Sequence, residues 1–89
     1  MPDEKLARAI RSRTRRDILH ILGNKEKISV HEIAAILNIT ESSASKNLKM
    51  LYDFGFVSFE SRAPEKLYTL KVKDLTELIR VYDKIVKKI

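Results

Sequence analysis

Apolar positions along the chain fall into helical and alternating runs separated by short polar clusters. Leu6, Ala7 and Ile10 make one narrow stripe in a charged opening, which predicts a short amphipathic helix over residues 3–11. Thr14 with Asp17 three residues on has the form of a capping box, and Ile18, Leu19, Ile21 and Leu22 supply a core face. A second helix is therefore expected over 15–22, with Gly23 as its left-handed terminus. Ile28 and Val30 alternate around Ser29 as a short extended segment. Ser29 and Glu32 form a second capping box ahead of Ile33, Ala34, Ile36 and Leu37, and Asn38 is a left-handed stop. Thr40 then caps a helix whose Ala44, Leu48 and Leu51 share one face, ending at Gly55. Residues 57–59 and 67–70 read as the arms of a hairpin around a polar loop, 61–66, with a basic, exposed tip. In a last helix, 73–89, Leu75, Leu78, Ile79, Tyr82, Ile85, Val86 and Ile89 form one near-heptad stripe.

This pattern describes one domain over residues 1–89, mainly α with a small β-hairpin, without repeats or linkers. No Cys is present, which excludes a disulfide framework, cysteine-ligated metal and a thiol nucleophile. The apolar runs are far shorter than the ~20 residues that cross a bilayer, and the first five residues have no apolar signal core. No membrane partner is expected, and the expected location is the cytoplasm. Eighteen Lys and Arg against twelve Asp and Glu give a net charge of +6. Lys5, Arg8, Arg11, Arg13, Arg15 and Arg16 fall within twelve residues that hold no acid, and a sign-segregated surface of this kind points to a polyanion such as nucleic acid.

Two helices joined by a tight turn, the second rich in Ser, Lys and Asn and followed by a hairpin, have the order of a winged helix-turn-helix. Residues 6–10, the run SRTRRDIL from Ser12, and the run from Ile28 to Val57 together resemble the ArsR-type family of transcriptional repressors. Thr14-Arg15, the Ser45, Leu48 and Leu51 spacing, and Gly55-Phe56-Val57 carry most of the resemblance. It implies an ArsR-like winged helix that binds double-stranded DNA as a homodimer. Departures are visible too: Ser12-Arg13 stands where many members have Asp-Pro, and Asn47 where many have His. The metal ligands of sensing members, thiolates or an Asp, His and Glu cluster on the last helix, have no counterpart, so neither a metal nor another cofactor is expected.

On the fourth helix the core row leaves Ser42, Ser43, Lys46, Asn47 and Lys49 facing outward and Ser45 at the boundary, and these are the candidate DNA contacts. Met50 points away from Leu48 and needs a neighbour to cover it. Arg62 and Lys66 flank the hairpin tip, Arg62 being the better candidate for phosphate or the minor groove. Arg13, Arg15 and Arg16 open a helix, where positive charge is unfavourable, so an anion is expected to compensate them, a protein carboxylate for at least one. His20 and His31 have no paired ligand spacing, and no nucleophile motif or phosphate loop points to an enzyme. The aromatics between residues 52 and 68 suit a hairpin-to-helix core better than a base-stacking platform. The last-helix stripe, with Leu6 and Ile10 of the first helix, is the candidate dimer interface. The expected function is a homodimeric repressor on a pseudo-palindromic operator. The rival readings are a winged-helix module docking on protein and a sequence-tolerant architectural DNA binder.

Overall fold

A computed structural model describes residues 2–89 and contains α1 (Pro2–Arg11), α2 (Arg13–Asn24), β1 (Ile28–Ser29), α3 (Val30–Leu37), α4 (Glu41–Phe54), β2 (Val57–Arg62), β3 (Glu65–Leu70) and α5 (Asp74–Val86). Local chemistry sets most boundaries. The Ser29–Glu32 box is complete: the Glu32 N–H donates to Ser29 Oγ at 3.1 Å and the Ser29 N–H to Glu32 Oε1 at 3.2 Å. Asn38 ends α3 at φ 55°, Thr40 caps α4 by accepting from the Ser43 N–H at 3.0 Å, and Gly55 ends α4 at φ 91°.

The first boundary of α2 differs from the sequence expectation. Ser12, and not Thr14, is the cap; it is extended and its Oγ accepts from the Arg15 N–H at 3.3 Å. Because α1 runs to Arg11, Ser12 is the one residue between the helices, and Asp17 pairs with Arg13 at 3.4 Å instead of completing a box. Gly23 is not a left-handed terminus either. It lies inside α2, which ends two residues later at an extended Lys25. A Cβ at Gly23 would lie 2.5 Å from Thr76 Oγ1 and 3.2 Å from Thr76 Cγ2, so the missing side chain lets α5 approach α2.

The hairpin is longer than expected, and only Ala63-Pro64 remains as its tip. Its flanking residues Arg62 and Glu65 are paired in register, so the tip carries both signs rather than a basic charge alone. β3 is the central strand of an antiparallel sheet of order β1-β3-β2, with Ile28 opposite Tyr68 and Phe59 also opposite Tyr68. Thr69 Oγ1–H donates to the Glu26 carbonyl at 2.8 Å and ties this sheet to the α2–β1 connector.

One core joins the elements. Ile18, Leu19 and Leu22 of α2 meet Ile33 of α3, Leu48 and Leu51 of α4, Tyr68 and Leu70 of β3, and Ile79 of α5. The α5 stripe is thereby divided. Leu75 (3% exposed) and Ile79 (0%) belong to the chain's own core, not to a free interface, because close packing of α5 on α2 turns them inward. Leu78 (39%), Ile85 (54%), Val86 and Ile89 stay exposed, with Tyr82 half-buried.

The α2–α5 contact is directly testable. Ala in place of Gly ordinarily stabilises a helix interior by about 1 kcal/mol. For Gly23→Ala we expect a net loss of about 1–2 kcal/mol, since the added methyl would also lie 3.3 Å from Thr76 Cβ, an atom that χ1 rotation does not move. Adding Thr76→Ala should recover most of the loss. Urea midpoints of the two variants measure both effects, and a raised midpoint for Gly23→Ala alone would contradict the close approach.

Candidate nucleic-acid interface

The turn Asn38-Ile39-Thr40 sets α4 against α3, with the Ile39 N–H donating back to the Ala34 carbonyl at 3.0 Å. Ala44, Leu48 and Leu51 bury one face of α4, which leaves Ser42, Ser45, Lys46 and Lys49 exposed and Ser43 half-buried. Between α4 and the hairpin runs an open groove. Its α4 wall is Glu41, Ser42, Ser45, Lys49, Tyr52 and Asp53, and its hairpin wall is Phe59, Pro64, Glu65, Lys66 and Tyr68. Tyr52, Phe59 and Tyr68 form its apolar base, with ring centroids 5.1 Å apart for Tyr52–Phe59 and 5.4 Å for Phe59–Tyr68.

Strand alternation separates the two basic residues of the hairpin. Phe59, Ser61, Lys66 and Tyr68 share the face toward α4, whereas Arg62 lies on the opposite face with Glu60 and Glu65. Lys66 Nζ rests 4.9 Å from the Phe59 ring centre inside the groove. Arg62 Nε lies 3.6 Å from Glu60 Oε1, which Lys27 also holds at 2.8 Å, and that hydrogen bond with its charge keeps the Glu60 carboxyl below its usual pKa. The groove therefore contains Lys66 and not Arg62.

Asn47 also differs from expectation. Its Oδ1 accepts from Arg15 Nη1 at 3.2 Å and its Nδ2 donates to the Ser43 carbonyl at 2.9 Å, so the amide that was a candidate DNA contact already has partners within the chain. Met50, left unexplained by the sequence, is the next contact of the same guanidinium, its sulfur 3.7 Å from Nη1. Arg15 donates in addition to the Arg8 carbonyl through Nε at 3.0 Å and Nη2 at 2.7 Å. Its neighbour Arg16 is buried, donates to the carbonyls of Ile10 (2.6 Å) and Arg11 (3.1 Å), and pairs with Asp83 at 3.2 Å under the Tyr82 ring. A carboxylate thus compensates Arg13 (Asp17) and Arg16 (Asp83), whereas Arg15 has no carboxylate and is met by the neutral carbonyl dipole of Arg8 at the end of α1. Lys46 has no ion-pair partner among the described residues, while Lys49 reaches Asp53 at 3.4 Å in an exposed pair.

Residues 12–58, more than half of the chain, match the family described as bacterial regulatory protein, arsR family. The chain belongs to the ArsR family. Its fold is that of the family's winged helix-turn-helix: HlyU from Vibrio cholerae N16961 superposes with a TM-score of 0.80 at 25% identity, over 94% of this chain and 90% of that one. HlyU from Vibrio vulnificus CMCP6, a transcriptional regulator, gives 0.77 at 29% identity, over 93% and 85%. The homodimeric winged helix-turn-helix DNA-binding domain of Mb0332 from Mycobacterium bovis gives 0.80 at 21% identity, over 98% and 80%, which shows the shared fold. In the terms of this ArsR fold α3 and α4 are the helix-turn-helix, α4 is the recognition helix and β2–β3 is the wing. Among the described residues no group of three or more His, Asp and Glu converges as metal ligands would, and no helix is long and apolar enough to cross a membrane.

Sequence reasoning passed over one ionic contact at the groove. His31, in the first turn of α3, places Nδ1 3.0 Å from Oε2 of Glu41, the first residue of the recognition helix. Both lie against the wing residues Pro64, Glu65 and Lys66. The only signal in the sequence was an acid immediately after the Thr40 cap; its distance of ten residues from His31 is not a helical spacing. The hydrogen bond from Glu41 and then its charge raise the His31 pKa above the ordinary histidine value, with smaller contributions from Glu65 and Glu32. A raised folded value means that the pair stabilises the fold fully below the unfolded histidine pKa and ceases to do so as pH rises through the folded one. We expect Glu41→Gln to move the His31 titration midpoint down toward the ordinary value, as followed by NMR of the ring protons. A midpoint indifferent to the substitution would remove the pair from the groove's electrostatics.

Proposed function

We propose that this ArsR-family chain is a homodimeric, sequence-specific binder of duplex DNA that represses transcription at a pseudo-palindromic operator, by binding and without catalysis. The single observation that carries the reading is the exposed face of the recognition helix beside the wing, where short hydroxyls (Ser42, Ser45) stand with Lys46 and Lys49 and, across the groove, Lys66, among the carboxylates of Glu41, Asp53 and Glu65. Short side chains let a helix approach base edges in the major groove, and the ammonium groups suit guanine edges and phosphates. Asn47 and Arg62 take supporting places in this reading, with Ser43 half-buried beside them: Asn47 ties α4 to Arg15, and Arg62 is on the outer face of the wing.

The second copy fits against the exposed apolar face of α5. Leu78, Val81, Ile85, Val86 and Ile89 are exposed there, and Leu6 of α1 lines a shallow apolar hollow with Phe56, Val72 and Leu78. Ile10 and Tyr82, both half-buried, complete the set. Burial of such side chains is worth roughly 1.5–3 kcal/mol apiece, enough in sum to outweigh the entropy of association. A two-fold pair sets its recognition helices about one DNA turn, ~34 Å, apart, and so engages both halves of an operator.

Two outcomes test this reading. In gel retardation with duplexes selected from a random pool, log affinity should fall with log salt by about 0.9 per neutralised phosphate, and Lys46→Ala should cost ~1–3 kcal/mol on the selected duplex but less on scrambled DNA. A flat salt response would sink the DNA reading. In sedimentation, Leu78→Glu with Ile85→Glu should give a helical monomer that binds a full operator little better than a half-site. A double variant that stays dimeric would place the interface elsewhere.

A further inference from the structure

Three surfaces of the recognition helix are held. Ala44, Leu48 and Leu51 face the core, while Ser45, Lys49 and Tyr52 face the wing. At 3.6 residues per turn, Ser43, Asn47 and Met50 lie roughly 100° round from the core row on the side away from the wing. On that third side the Arg15 guanidinium of α2 reaches Asn47 and Met50. We infer that Arg15 is a positioning residue for DNA reading, whose planar fork fixes the rotation of the recognition helix by tying Asn47 to the last turn of α1. This rests on the proposed DNA-binding role and names the device that sets its precision.

The geometry is over-determined. Two N–H groups of one guanidinium converge on the Arg8 carbonyl at 3.0 and 2.7 Å, and a third reaches Asn47 Oδ1 at 3.2 Å. Because Asn47 Nδ2 donates to Ser43 O at 2.9 Å, the amide cannot be flipped without pointing donors at a cation. The Arg8 carbonyl is one of the four left open by the last turn of α1, so the anchor is backbone and not a mobile side chain. Burial, with the charges of Arg11 and Arg8, lowers the Arg15 pKa from its ordinary value, as expected of a cation that is partly withdrawn from water. A guanidinium engaged in this way has its donors committed inside the protein. Lysine cannot replace it, since a single ammonium lacks the fixed fork that spans both acceptors. Reading bases requires side chains held within about 10–20° of their productive direction, and a helix free to roll on its apolar row loses that first.

The experiment compares wild type, Arg15→Lys and Arg15→Met on a duplex selected by the wild type from a random pool and on its scrambled counterpart, across a salt series. Helicity and sedimentation are measured alongside. Arg15→Lys and Arg15→Met should both lose about tenfold or more on the selected duplex, the cost of a charge-assisted hydrogen bond, while affinity for the scrambled duplex changes little. The salt slope of Arg15→Lys should stay as in wild type. Restoration of selectivity by Lys would overturn the inference, and so would a parallel loss on both duplexes with a slope reduced by about one in Arg15→Met, which is the mark of a phosphate contact. Should the Arg15 variants unfold, Asn47→Ala carries the test. A pinned helix predicts weakened preference at every position of the half-site, and loss at a single base pair would instead make Asn47 a base reader and overturn the proposal. A wild type that selects no duplex overturns the DNA reading itself, which is distinct from a wild type that selects while its Arg15 variants select equally well.

Discussion

The last turn of α1 leaves backbone carbonyls without helical partners, and the arrangement of the other helices follows from how they are satisfied. With only Ser12 between α1 and α2, the side chains that open α2 fall directly against that turn. Arg15 takes the Arg8 carbonyl and Arg16 takes those of Ile10 and Arg11. The negative end of one helix thereby neutralises cations that the positive end of the next would repel. Arg16 is the costlier of the two. Its guanidinium is buried and depends on Asp83 and the Tyr82 ring as well, and stripping a partner from a buried charge costs about 3–5 kcal/mol. Through that set of contacts α5 is fixed on α1 and α2 at one rotation.

This rotation decides which side of α5 is free. Gly23 allows Thr76 to come close, Asp83 is drawn to Arg16, and Leu75 and Ile79, on the same side, enter the core. Leu78, Ile85 and Ile89 are then left outward together. The exposed apolar face of α5 is thus a product of the buried ionic contacts and not of the hydrophobic pattern alone.

The same junction reaches the recognition helix through Arg15 and Asn47. Apart from Met50 and Tyr52, the two flanks of α4 carry small or polar side chains. Polar ties consequently do the orienting. Asn47 serves on one side, and the Tyr52, Phe59 and Lys66 cluster on the other joins helix to wing. His31 and Glu41 close the end of the groove by pairing the first turns of α3 and α4.

Features that depend on neighbours within about four residues were legible in the chain itself. The Ser29–Glu32 box, the Thr40 cap, the left-handed Asn38 and Gly55, and the inward row of Ala44, Leu48 and Leu51 are each settled by short-range hydrogen bonds or by helical periodicity. The order of elements and the family resemblance rest on those signals. The cap of α2 was not legible in this way: Thr14 with Asp17 has the local form of a capping box, and Ser12 holds the place because α1 runs on to Arg11. Only the tertiary structure decided that Gly23 serves a helix contact and not a terminus. It also set Asn47 facing Arg15 thirty-two residues away, put Lys66 and not Arg62 in the groove, and divided the α5 stripe between core and surface. Each of these depends on partners distant in sequence, and periodicity can assign a side chain to a face but cannot say what that face will meet.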